Sequence, residues 1–125
     1  MQLSHELPDY AFTLRSADGQ HARVNDRTLV ASFILSPQQL IEYWSASDSS
    51  ALTPEDLAPL IVLQPEVILL GTGDRQVFPP AAVMAACLRQ GVGLEVMTNA
   101  AAARTFNVLA GESRRVVAGF LLAPR

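Results

Sequence analysis

Residues 66–80 read EVILLGTGDRQVFPP. A short apolar run meets Gly71, Thr72 and Gly73, a charged pair follows at Asp74 and Arg75, and Pro79-Pro80 can open a helix. Strand, glycine turn and helix in that order hold a phosphate in many proteins, because free backbone amides at a helix start favour an anion. Neither established glycine pattern is met. A dinucleotide fingerprint needs a third glycine three positions after the second, where this chain has Gln76. A P-loop needs Gly-Lys-Ser/Thr, and the chain has no lysine. The plainer expectation is a tight turn beside the next helix.

The place matters apart from the motif. In open α/β sheets ligands sit outside the carboxyl ends of the parallel strands. Two such ends are expected, at 66–71 and 93–97, and the loops leaving them border one crevice. One loop is Gly71, Thr72, Gly73, Asp74 and Arg75; the other holds Met97, Thr98 and Asn99. Thr98 or Asn99 can cap the following helix, whose free amides favour a small anion. Arg75 and Arg104 would add positive charge, with Asn107 nearby. The competing expectation is that Arg104 and Asn107 solvate the outer helix face or tie neighbouring loops.

Other reactive side chains are sparse. His5 and His21 have no second histidine at ligand spacing, so no metal site is assigned. Cys87, the single cysteine, excludes an intrachain disulfide and a site built on several thiolates. Within AAVMAACLRQ it reads as a small buried hydrophobe. Glu95, inside the apolar run GLEVM, is the carboxylate expected to be partly buried, where it could act as a base or bond an arginine or amide. No base–nucleophile pair is suggested, so no catalytic residue and no cofactor is assigned.

The elements that would position these groups follow from periodicity. Residues 10–14 alternate as a half-buried strand, Asp18-Gly19 marks a turn, and a short strand follows around 21–24. RTLVASFILS fits one longer strand. Residues 36–52 read as irregular. Thr53, Pro54, Glu55 and Asp56 start a helix that Pro59 must shorten or kink. The run 67–70 suits a strand covered on both faces. A helix at 80–90 ends at Gly91, GLEVM forms a second buried strand, and a helix at 99–110 has Gly111 as its stop. RRVVAGFLLA closes the chain as a strand. Two strand–helix–strand crossovers imply a parallel portion with helices packed on the sheet.

Of the 125 residues, 50% are apolar and 17% charged, with a net charge of −3. That is a globular composition for one domain, 1–125, with no basic patch for nucleic acid and no run long enough to span a membrane. A soluble, cytoplasmic protein is expected. The helix PPAAVMAACLRQ carries one charge, Arg89. Val83, Met84, Ala85 and Leu88 do not fit one narrow stripe, so either a further layer covers the helix or it meets a partner. Val83, Met84 and Leu88 are therefore the candidate interface, for self-association or another protein.

At these same residues a resemblance appears. VILLGTGDR, GVGLEVMTNAAAARTFNVLAGESRRVVAGFL and Trp44 ahead of TPEDL resemble the small-domain family that includes mitochondrial respiratory complex I assembly factor three. The likeness covers roughly residues 9–124. It implies a three-layer α/β arrangement, a mixed central sheet and an added β layer from an N-terminal hairpin. It also implies a non-enzymatic role in binding other proteins during assembly. Relatives often carry an acid followed by threonine after the Met97 position and a tyrosine at 106; this chain has Thr98-Asn99 and Phe106. The alternative expectation is a small enzyme or a metabolite- or anion-binding protein using the crevice.

Overall fold

The computed structural model describes residues 11–123. The chain runs β1 (Leu14–Ala17), β2 (Ala22–Val24), β3 (Arg27–Leu29), β4 (Phe33–Leu35), β5 (Leu40–Ile41), two 3-10 turns (Ser49–Ala51 and Pro54–Leu57), α1 (Ala58–Ile61), β6 (Val67–Gly71), α2 (Ala81–Arg89), β7 (Gly93–Met97), α3 (Asn99–Gly111) and β8 (Val116–Phe120). The central sheet has the order β5-β4-β8-β6-β7, and a second antiparallel sheet is β1-β2-β3. β6 pairs in parallel with both β7 and β8, while β4 runs antiparallel to β8 and β5. The sheet is mixed, as expected.

Alternation along the central strands divides the core into two. Val67, Leu69, Val116, Ala118, Phe120, Phe33 and Leu35 point to α3 and the three-stranded sheet. Ile68, Leu70, Val117 and Ile34 point to Trp44, Leu57, Leu60 and α2. The β6–β7 crossover steps outward and the β7–β8 crossover steps back across β6. Crossovers of one hand then place α2 and α3 on opposite faces, which makes three layers. Phe33 and Phe120 stack at 4.9 Å between ring centroids across the β4–β8 pair.

Several expectations need correction. The strand expected at 10–14 begins only at Leu14, because Thr13 pairs with Asn25 through Asn25 Oδ1 (2.9 Å) and the Asn25 N–H (2.9 Å); Tyr10 lies outside the described residues. RTLVASFILS is not one strand. It breaks at Ser32, a buried corner whose Oγ accepts from Leu122 N–H at 2.9 Å and whose carbonyl accepts from Trp44 N–H at 2.8 Å. The supposedly irregular 36–52 contains β5 and a 3-10 turn capped by Asp48. Its middle is anchored by Trp44, whose Nε1 donates to Asp56 O at 2.9 Å and whose ring lies against Gly119 of β8.

Pro59 is accommodated as the helix after Thr53 splits into a 3-10 turn and a single α-turn. Gly91, with φ of 71°, closes α2 as expected: Val92 N–H reaches Cys87 O and Gly91 N–H reaches Leu88 O, both at 3.0 Å. Gly111 does not stop α3. The left-handed position there is Ser113 (φ 59°), with Arg114 N–H on Leu109 O at 3.0 Å. β7 is not doubly buried either. It is the edge strand, beyond the reach of α3, so Glu95 is exposed rather than partly buried.

Candidate functional site

The glycine turn at the end of β6 has a definite task. Asn99, the first residue of α3, is fully buried. Its Oδ1 accepts from Gly73 N–H at 3.1 Å, and its Nδ2 donates to Asp18 O at 2.7 Å and to Leu121 O at 2.9 Å. The Asn99 N–H in turn reaches Gly73 O at 2.8 Å. One side chain thus ties the ends of β6 and β8 and the β1–β2 turn. A Cβ on Gly71 would run into Asn99 Oδ1, so the first glycine makes room for that amide. Gly73, at φ of 102°, supplies the backbone conformation that aims its N–H.

The neighbours complete the knot. Thr72 N–H donates to Met97 O at 2.9 Å, and its hydroxyl donates to Arg75 O at 2.5 Å and accepts from Val77 N–H at 3.1 Å. Asp74 Oδ1 accepts from Gly19 N–H at 2.8 Å; a Cβ on Gly19 would sit 2.6 Å from Asp74 Oδ2. Thr98 caps α3 through Ala101 N–H at 3.2 Å. Asn107 pairs with both backbone groups of Leu14, at 3.0 and 2.8 Å, and so docks β1 on α3. The amides of Thr72, Gly73, Asn99 and Ala101 are already bonded within the protein. Of the nine crevice candidates, Arg75 and Arg104 are exposed and carry no ion pair among the described residues. Among the described residues no three His, Cys, Asp or Glu side chains gather as a metal site.

The α2 candidates separate by face. Val83 is fully buried and Met84 half-buried, whereas Leu88 is 78% exposed. Val83 packs in the core with Cys87, whose thiol burial pushes to a higher pKa. The turn Pro54–Leu57 covers one flank of α2, which accounts for part of its apolar surface. On the outer flank Ala81 and Leu88 are exposed and Ala85 is half-buried. Val62, 74% exposed after α1, lies across a shallow concavity from Ala86 and Arg89. Sequence reasoning missed it, since one valine in a short irregular helix gives no periodic signal. It also missed Gln76, whose Nε2 occupies the outward carbonyl of Val96 on the edge strand at 2.9 Å.

The architecture defines a small three-layer α/β domain in which a buried asparagine closes the strand ends. Residues 14–121 match the family described as protein of unknown function (DUF498/DUF598), and the chain belongs to that family. A "13 kDa major membrane protein" of Francisella tularensis is 32% identical over 84 residues, which span 66% of this chain and 68% of the relative. "NADH dehydrogenase [ubiquinone] 1 alpha subcomplex assembly factor 3" of Danio rerio is 29% identical over 103 residues. That match covers 81% of this chain but only 59% of the relative's length. A Xanthomonas campestris protein solved by NMR superposes with a TM-score of 0.83 at 53% identity, covering 98% of this chain and 92% of that one. The resemblance to the assembly-factor family and the α/β class are therefore both established. No helix among the described residues is long and apolar enough to cross a membrane.

Proposed function

We propose that this protein is a non-enzymatic binding domain that takes part in assembling a larger protein complex, in the cytoplasm, with the outer flank of α2 as its contact surface. The supporting observation is Leu88, 78% exposed on a flank otherwise made of alanines. A leucine left in water on a rigid helix loses apolar burial that a partner can restore, about 1.5–3 kcal/mol for a full side chain. Relatives named as assembly factors support the same reading. The self-contained bonding of the crevice favours it over a metabolite-binding role there.

The test is affinity capture from the native host with Leu88→Glu beside wild type and a Val108→Glu control. Val108 is 57% exposed on α3, which packs on the opposite face of the sheet, so its charge should leave an α2 contact intact. The expected result is a partner held by wild type and Val108→Glu and lost by Leu88→Glu at unchanged thermal stability. Equal capture by all three proteins, or no partner at all, refutes the α2 surface.

A further inference from the structure

At the end of the sheet opposite Gly71, three loops border an open cavity of about 270 Å³. They are the β4–β5 turn at 36–38, the α1–β6 loop at 63–65 and the α3–β8 loop at 113–115. The floor is apolar and buried, formed by Ala110, Val116 and Val117, with Leu63 and Pro65 as one wall. Its size lies near the lower end, about 300 Å³, of small-molecule sites. A second concavity, lined by polar groups such as Gln64 and Glu66, adjoins it and shares Pro65 and Arg115.

Charge at this mouth is unequal. Arg114 Nε binds Glu66 Oε1 at 2.7 Å, and Glu112 and Glu95 also act on Arg114. Arg115 helps to hold Glu66 ionised chiefly through its backbone N–H, which donates to Glu66 Oε1 at 3.2 Å, and the charge of its guanidinium adds least. Its Nε is fixed on Gln64 O at 3.2 Å, while its Nη nitrogens meet no partner among the described residues. A guanidinium anchored through Nε keeps a two-nitrogen edge that suits one carboxylate. The apolar floor disfavours a second charge, because a buried charge needs its own partner.

We infer that this cavity binds a small monocarboxylic acid, its apolar body against Leu63 and Pro65 and its carboxylate on the Nη edge of Arg115. The site lies at the other end of the sheet from the crevice and does not depend on the α2 surface.

Octanoate titrated into the full chain, followed by amide NMR, tests it, with neutral 1-octanol as comparison. Octanoate should shift the amides of Leu63, Val116 and Val117 saturably, with octanol at least about tenfold weaker, the equivalent of about 1.4 kcal/mol. Arg115→Gln should weaken octanoate about tenfold, and Leu63→Trp, which fills the mouth and removes no charge, should abolish binding. Arg104→Gln should change nothing. Absence of saturable shifts up to about 10 mM, well above the millimolar range where binding is worth only about 4 kcal/mol, overturns the inference. So does equal binding of octanol, or full binding by folded Arg115→Gln.

Discussion

Replacing Asn99 by aspartate changes one atom of the knot at the strand ends and reverses its logic. The amide nitrogen donates to Asp18 O at 2.7 Å and Leu121 O at 2.9 Å; an oxygen in its place faces both carbonyls as a third acceptor. Each lost hydrogen bond costs about 1 kcal/mol net, and an unpaired buried acceptor roughly 1–3 kcal/mol more. Only the Gly73 N–H remains to satisfy the new carboxylate. A destabilisation of about 3 kcal/mol at neutral pH follows, which lowers Tm by about 10 °C in a chain of this size. A protonated carboxyl recovers one of the two donors, so the folded pKa at position 99 must lie above the ordinary aspartate value of about 3.9. The penalty is therefore relieved below that value and grows as pH rises through the raised folded pKa.

Wild type behaves in the opposite sense. Asp18 and Glu66 are held below their usual range, first by the Gln20 N–H and the Arg114 side chain respectively, so their contribution is lost as pH falls. Urea unfolding of both proteins, followed by Trp44 fluorescence at pH 7, 5.5 and 4, separates the two signs. The gap should narrow towards pH 4. A gap under about 1 kcal/mol at pH 7, or one that does not vary with pH, would refute the assignment of Asn99 as the closing element.

Two further outcomes follow from the same geometry. Gly119→Ala places a Cβ 2.6 Å from Trp44 Cζ3, and overpacking of this kind costs about 1–3 kcal/mol in chemical denaturation; trimming the ring with Trp44→Phe in the same chain should make the combined cost less than the sum of the two. Glu66→Gln removes a carboxylate whose pKa is lowered chiefly by Arg114, so its stabilising effect should be present above the ordinary value of 4.5 and vanish as pH falls below it, flattening the acid limb of Tm against pH.

The knot explains why the stretch 71–75 looks like a phosphate loop without the residues of one. Glycine is demanded at 71 by a side-chain amide and at 73 by a left-handed φ. Both demands also occur where a backbone approaches a phosphate, so the two uses look alike in a sequence. What separates them is where the amide of Gly73 points, and that depends on Asn99, twenty-six residues further along the chain.

Much of the second half was legible in the chain itself. A continuous apolar run at 67–70, a proline-opened helix closed by Gly91 and an amphipathic helix after Thr98 are local signals, each set by backbone propensity within a few residues. The first half was harder. One β-rich run supplies strands to two different sheets, and the break at Ser32 is set by bonds to Trp44 and Leu122 rather than by a turn residue.

Sequence by itself determined the α/β class, the positions of α2 and α3 and the alternation of core residues, because these rest on period and caps. Tertiary structure alone decided that β7 is an edge, that Glu95 is in water, that Val83 faces the core while Leu88 does not, and that Arg114 pairs with the Glu66 carboxylate while the Arg115 guanidinium has no ion pair among the described residues. Those outcomes depend on which strand lies beside which, and on contacts between residues tens of positions apart. No local pattern along a chain carries that information.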